Sequence, residues 1–391
     1  MNRFLDGVRV LEMGSFISGP YAGQLLAELG ADVIKIERPE GGDPFRSFSK
    51  DMLSPQFCAY NRGKRSVTID VSQPKGREAF LKLVDSADVL LENFRPDVLE
   101  RLSLGYEVLK ARNPGLIYCN ISGFGPDGPY AKRPAYDTVA QSMSGFFSQL
   151  LDPERPRILG PAIADAISGL YAALGIAAAL TERNKTGKGH RLDVAMVEAM
   201  AAFSADPATQ YLMNGRSPRP YDRASLSQSF ALKCSDGRLL GLHLSSPQKF
   251  WDALMAAVSR PDIAEDPRFI SREGRVKNYD ALCDALGAAF AVHTRPEWEA
   301  RLKEYDVPYA PVLDFTEVSE DPQIVHMKTF FDAPHPQLGT LRGIQGPIWC
   351  DRQREVPVLH PPILGEHTDE QLRQVGMGDQ EIADLKAAKA V

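Results

Sequence analysis

VRVLEMGSFISGPYAGQLLAELGADVIKIE, residues 8–37, decides the fold class. Residues 8–12 form a short apolar strand, and 14–20 a glycine-bearing turn. Residues 21–29 read as a helix with Leu25, Leu26 and Leu29 on one side, and 32–37 as a second strand. Strand, turn, helix and strand in so short a stretch form the unit of a parallel sheet, because parallel neighbours require a crossover. The pattern continues with a strand at 66–71 and an amphipathic helix at 75–86, where Phe80, Leu81, Val84 and Ala87 fall at helical spacing. A strand at 89–92, a helix at 96–111 and a strand at 116–121 follow, the last closed by the glycine-rich 122–128. The expected fold is α/β: a doubly wound, Rossmann-like parallel sheet in a large domain, with a smaller α+β domain. Ligands of such sheets bind outside the carboxyl ends of the strands.

Farther along, 165–183 read as one helix, ended by a Gly/Lys turn at 184–189, with a short strand at 190–194 and a helix start at 197–203. Composition then shifts: 214–223 are rich in Pro, Arg and Gly, as a linker is. The next stretch has its own strands (230–234, 239–244) and helices (248–257, 281–291, 296–304). Residues 321–365 are loop-rich with many prolines, and a polar amphipathic helix starts at Thr368. The expected division is a large domain from 1–213, a linker at 214–225, a small domain at 226–320, and a return at 321–391 that completes the large domain. A chain of 391 residues is longer than one core usually serves.

Composition limits the function classes. Hydrophobic residues are 43% and charged residues 25%, an ordinary globular balance, and the formal net charge is −6. Bulk attraction to nucleic acid or anionic lipid is not expected, so an anionic ligand needs a local basic cluster. The five cysteines, Cys58, Cys119, Cys234, Cys283 and Cys350, are scattered without a CxxC pair, which points away from a disulfide framework and toward the cytoplasm. Asn2, Arg3 and Asp6 lead directly into the first strand, so no signal peptide is expected. The longest apolar run, near 170–180, contains a glycine and reads as too short to span a bilayer.

The Gly14–Gly19 turn does not match GxGxxG, and Walker A, HExxH and GxSxG motifs are absent. The dispersed histidines lack metal-ligand spacing, so no metal is expected. Arg38 stands at a strand exit, and Arg62, Lys64, Arg65, Arg95 and Arg101 follow near other strand ends. Such a set suits a ligand with several phosphates, although each could also be a solvated surface charge. Asp165 opens the long apolar helix among Ala162, Ala164, Ala166, Ser168 and Gly169. It reads either as a helix N-cap or as a carboxylate kept ionised by the helix dipole, with room around it for a substrate. An accessible ionised carboxylate is a competent nucleophile toward a thioester.

Several segments together resemble the family III CoA-transferases, the CaiB/BaiF family. They include Leu5-Asp6-Gly7-Val8-Arg9-Val10-Leu11-Glu12, Leu29-Gly30-Ala31-Asp32-Val33-Ile34-Lys35-Ile36-Glu37-Arg38-Pro39, and Asn61-Arg62-Gly63-Lys64-Arg65-Ser66. Glu92-Asn93-Phe94-Arg95-Pro96, Lys185-Thr186-Gly187-Lys188-Gly189 and Leu364-Gly365-Glu366-His367-Thr368 extend the likeness over nearly the whole chain. The resemblance implies transfer of CoA from an acyl-CoA to a carboxylic acid through an aspartyl anhydride and an aspartyl-CoA thioester. It places Asp165 at the catalytic aspartate, and Arg38, Asn93 and Arg101 at CoA contacts. Ser15, Ile17 and Tyr136 fall at the active-site lining. It implies coenzyme A as a substrate with no permanently bound cofactor, and a homodimer of interlocked rings. No nucleic-acid or membrane partner is expected.

Two stretches depart from the formyl-CoA transferase pattern. Leu242-His243-Leu244-Ser245-Ser246-Pro247 stands where that branch has a glycine-rich loop, and Ile17 stands near a glutamine of that branch. Both departures speak against formate and oxalate. His243 reads either as a contact for an acceptor carboxylate or as a satisfied strand histidine. Two rival readings are a racemase of the same family, whose His-Asp pair would fall at Tyr136-Asp137, and a CoA-binding protein without catalysis.

Overall fold

The computed structural model describes residues 4–354 and 360–391. Asn2 and Arg3, and the 355–359 part of the proline-rich stretch, lie outside the described residues. Two compact units form: residues 1–147, 158–213 and 328–391 in the larger, and 148–157 with 214–327 in the smaller.

The larger unit is built on β1 (Arg9–Glu12), β2 (Asp32–Glu37), β3 (Arg65–Thr68), β4 (Val89–Glu92), β5 (Ile117–Ser122) and β6 (Arg191–Ala195). They lie in the order β3-β2-β1-β4-β5-β6, each neighbouring pair parallel. Strand order reverses between β1 and β4, so their exits diverge and open a crevice. Strands β1, β2, β4 and β5 are buried on both faces, as parallel strands are, while the edge strand β6 exposes Arg191 and Asp193. Val10, Val33, Val89 and Ile117 face a core shared with helices Ser18–Glu28 and Ile163–Thr186. Their neighbours Leu11, Ile34, Leu90 and Tyr118 face the opposite core, with helices Pro74–Val84 and Asp379–Ala387. This alternation is the strand period of two.

The Ser18–Glu28 helix crosses close to the Ile163–Thr186 helix at Gly169. A Cβ on Gly169 would stand 2.7 Å from the Ser18 carbonyl oxygen and 3.2 Å from the Ala22 nitrogen. The Ile163–Thr186 helix ends at Gly187, whose φ of 71° lets it close the last turn in the left-handed region.

Four expectations are corrected. The helix expected at 96–111 is two short ones, Val98–Arg101 and Tyr106–Arg112, because Ser103 adopts a positive φ and Gly105 starts the second. The stretch 321–365 carries an antiparallel hairpin in the larger unit. The C-terminal helix is two, Thr368–Gln374 and Asp379–Ala387, interrupted at Gly376 with φ 83°. The 170–180 run belongs to a helix of 24 residues, long and apolar enough to cross a membrane. Its Ala164, Ser168, Ala172, Ile176 and Leu180 are buried instead on the sheet face that carries Val10, Val33, Val89 and Ile117.

The smaller unit has an antiparallel sheet of β7 (Ser229–Lys233), β8 (Leu239–His243) and β9 (Tyr309–Pro311). Helices Gln248–Val258, Tyr279–Phe290 and Arg295–Glu304 pack on it, with Phe290 stacked on Trp298 at 4.2 Å. Helix Asp222–Ser227 begins inside the stretch expected as a linker. Phe330–His335 (β10) and Gly339–Ile344 (β11) form the hairpin of the larger unit.

Candidate active site

Asp165 lies in the first turn of the Ile163–Thr186 helix but does not cap it. It is the third helical residue, and the N-cap position is Ala162, which offers no side-chain acceptor. Asp137, the first residue of helix Asp137–Met143, supplies the missing acceptor. Its Oδ1 accepts from the Ala164 N–H at 2.8 Å and the Asp165 N–H at 3.3 Å, satisfying two donors that the helix start leaves open. The buried Gln141, one turn on, donates its amide to Asp137 Oδ2 and fixes that carboxylate. Asp137 thus sets the backbone position of Asp165 from another element.

The half-buried Asp165 carboxylate accepts no hydrogen bond among the described residues. Burial, and then the charge of Asp137, push its pKa up to about 7. The helix dipole favours the anion, whereas loss of solvent and the like charge of Asp137 favour the protonated form.

Residues 13–17, which link β1 to the Ser18–Glu28 helix, run beside this helix start. Asn93, at the exit of β4, clamps them: its Oδ1 accepts from Ser15 N–H at 2.9 Å, and its Nδ2 donates to Ser15 O and Ser18 Oγ, each at 2.9 Å. Gly14 and Gly19 close the turn by direct backbone contact; a Cβ on Gly14 would lie 3.0 Å from Gly19 Cα. Phe16, between Ser15 and Ile17, has φ 63°. For an aromatic residue this is a true outlier, of the kind held at functional sites. Its ring stands edge-on to Phe45 at 5.3 Å and to Tyr136 at 6.0 Å. Tyr136 is 65% exposed and immediately precedes Asp137.

A buried charge network under the turn anchors both of its ends. Lys35 donates to Gly14 O at 2.8 Å and pairs with Glu12 and Asp43, each at 3.0 Å. Lys64 donates to Pro20 O at 2.7 Å and pairs with the other Glu12 oxygen at 2.6 Å. Arg46 pairs with Glu37 at 2.7 Å. Glu12, Glu37 and Asp43 thus match Lys35, Lys64 and Arg46 in charge, as buried ions require. Burial lowers the Lys64 ammonium to about 8, while the three carboxylates near Lys35 overcome its burial and hold it raised.

The expected basic set therefore divides. Lys64 is buried in the network, Arg62 pairs with Glu28 at 3.0 Å, and Arg65 pairs with Asp32 and Glu370. Arg38, Arg95 and Arg101 are exposed and carry no ion pair among the described residues. Arg38 follows β2, Arg95 follows β4 and Arg101 ends helix Val98–Arg101, which leaves three free cations near strand exits. Among the described residues no group of three or more His, Cys, Asp or Glu is placed to hold a metal ion.

The structure thus links Ser15, Asn93, Ile17, Tyr136 and Asp165 through the loop, the Phe16 ring and Asp137. His243 is in the smaller unit, at the end of β8, where its Nδ1 lies 3.2 Å from Ser229 Oγ on the paired strand. Sequence reasoning missed Gln141 and Phe16, and named Asp137 only within the pair of the rival racemase reading. Asp137 lies far from Asp165 in sequence, and nothing about a lone phenylalanine announces a positive φ.

Comparison with known proteins identifies the family. The model of "CoA-transferase family III" matches residues 5–368. A succinyl-CoA–D-citramalate CoA-transferase of Chloroflexus aurantiacus is 31% identical, covering 100% of this chain and 98% of the relative. A formyl-CoA:oxalate CoA-transferase of Rhodopseudomonas palustris is 32% identical over 100% and 98%. A succinate–glutarate CoA-transferase of Agrobacterium fabrum is 33% identical over 95% and 95%. The crystal structure of a CaiB/BaiF family protein from Brucella suis superposes with a TM-score of 0.86 at 35% identity, over 96% of this chain and 100% of that one. The chain belongs to CoA-transferase family III.

Proposed function

We propose that this enzyme moves coenzyme A from an acyl-CoA to a carboxylic acid, with Asp165 as the nucleophile. A carboxylate oxygen of Asp165 attacks the thioester carbonyl carbon. The C–S bond breaks, CoA leaves as thiolate, and an acyl-aspartyl anhydride remains. The thiolate attacks the aspartyl carbonyl carbon, and the first acid leaves as its carboxylate. An acceptor carboxylate attacks the aspartyl-CoA thioester and expels the thiolate. The thiolate then attacks the acyl carbon of the new anhydride, which frees the acceptor's CoA ester and the Asp165 carboxylate. Each step exchanges one acyl bond for another, so the sequence closes without a net proton or a nucleotide.

The observation that carries this reading is an unpartnered, half-buried carboxylate whose backbone is fixed by Asp137, one helical turn from where the clamped turn meets its helix at Gly169. Positioning of this kind converts encounter into near-attack geometry. Arg38 and Arg101 are the free cations assigned to the CoA phosphates. Asn93, with its amide committed to Ser15 and Ser18, serves CoA through the shape of the turn. His243 is assigned no chemical step.

The test is trapping. Incubation with acyl-CoA and hydroxylamine should modify a single carboxylate, placed by peptide mass mapping at Asp165. Asp165→Asn should bind CoA, remain folded, and lose transfer by about two orders of magnitude or more. Full activity in that variant, with deamidation excluded, overturns the assignment.

A further inference from the structure

The turn that leads into Ser18, whose carbonyl approaches the Ile163–Thr186 helix at Gly169, carries apolar side chains. Phe16, Ile17, Tyr60, Leu338 and Leu341 all pack against a small buried core that includes Phe45 and Phe57. Two links connect these side chains to Asp165. The Phe16 ring meets Tyr136, which adjoins the Asp137 that binds the Asp165 N–H. The carbonyl of Ser18, next to Ile17, presses on Gly169, one helical turn from Asp165. Tyr60 stands edge-on to Tyr21 at 6.0 Å, and Tyr21 in turn touches the Gly169 position. Phe16 is held against its own backbone preference by the Asn93 clamp on both sides of Ser15. Strain of this kind is retained where the placed side chain does something.

The charges agree with this apolar character. Asp165 and Asp137 are two carboxylates at one buried place, and the Tyr60 phenol is raised by burial and then by both of them. No cation is among the groups acting on Asp165. Lys64, Arg46 and Arg62 are each closed off by a carboxylate partner. An acid with a second carboxylate near its reacting one would bring a third negative charge beside Asp165 and Asp137.

We propose, resting on the CoA-transfer reading above, that the acids exchanged at Asp165 are monocarboxylic acids with an apolar group next to the carboxyl. Phe16 and Ile17 are the specificity-determining residues. This separates the chain from the relatives compared above, whose names carry citramalate, oxalate and glutarate.

The experiment measures kcat/KM for two sets of acceptors, hexanoate and phenylacetate against oxalate, succinate and glutarate, with butyryl-CoA and succinyl-CoA as donors. Apolar acids should be favoured by at least about tenfold, the scale on which a hydrophobic pocket discriminates. Ile17→Lys should shift the ratio toward the diacids by about tenfold while the Kd for free CoA stays unchanged. Phe16→Gly, which accepts the positive φ, should fold normally and lose preference among apolar acids. Diacids favoured by the wild type, with Asp165 still trapped by hydroxylamine, overturn this inference and leave the aspartyl mechanism standing. Apolar preference untouched by both variants overturns the assignment to Phe16 and Ile17. No transfer to any acid of either set overturns both readings.

Discussion

A carboxylate in the first turn of a helix is ordinarily favoured as the anion, yet burial and Asp137 push Asp165 up to about 7. The shift has a sign that can be measured. The folded value lies above the ordinary aspartate value of 3.8, so between 3.8 and about 7 the folded state holds a proton that the unfolded state has released. The stability linked to this group is full below that window and is lost as pH rises through it. Asp165→Asn has no such dependence. It should gain on the wild type between pH 4 and pH 8 by about 1–3 kcal/mol after allowance for solvent screening, read from urea unfolding at both pH values. A constant difference across that range would contradict the burial argument. Transfer should rise with pH through about 7 as the nucleophile ionises. Asp137→Asn keeps an acceptor for the Ala164 and Asp165 N–H groups but removes the like charge. Its pH–rate inflection should therefore move to lower pH. An unmoved inflection would mean that Asp137 acts on Asp165 only as a cap.

At the scale of elements, the site depends on how closely two helices and one turn approach. Gly169 lies where the Ile163–Thr186 helix meets the start of the Ser18–Glu28 helix. Alanine is the better helix former by about 1 kcal/mol. Against that, its Cβ would lie 2.7 Å from the Ser18 carbonyl oxygen, a backbone atom that cannot rotate away. Overpacking of this kind costs about 1–3 kcal/mol, so the clash wins. Gly169→Ala should be destabilised by about 1 kcal/mol in urea. It should lose more in transfer rate than in CoA affinity, because the displaced Ser18 carries Phe16 and Ile17 with it. A stabilised variant with normal kinetics would show that the helices separate freely. The buried ion network belongs to the same scale: Lys35 and Lys64 bind carbonyls at opposite ends of the turn, so charge balance in the sheet and loop position are one requirement.

At the scale of the whole molecule, helix Ala205–Asn214 buries none of its residues, and Leu212 and Met213 are 80% and 79% exposed. Contiguous apolar exposure of this kind marks an interaction surface. We propose that a second copy of the chain covers it, in keeping with the homodimer that the family resemblance implies. The chain should sediment as a dimer at nanomolar concentration. Leu212→Asp combined with Met213→Asp should yield aggregated or inactive protein. A compact, active wild-type monomer would remove the proposal.

How much was legible in the sequence differs by interaction range. The strands β1, β2, β4 and β5, the parallel sheet and the long helix around Asp165 could be read because each is written in local periodicity, and those strands are buried on both faces. Asp165 stood out by the small residues around it and by the family resemblance. The helix breaks at Ser103 and Gly376 and the hairpin of β10 and β11 were not legible, since a positive φ and a long-range strand pairing leave little local trace. The wider basic set looked uniform in sequence, yet Arg62, Lys64 and Arg65 are committed to Glu28, Glu12 and Asp32, while Arg38, Arg95 and Arg101 carry no ion pair among the described residues. That division depends on which carboxylate each side chain meets in space. Asp137 makes the same point at the nucleophile. By itself the sequence determined the sheet and the order of its elements, and it singled out Asp165 as the candidate nucleophile. Tertiary structure alone decided which carboxylate binds its N–H and which charge displaces its pKa, because those interactions join atoms that the chain order keeps far apart.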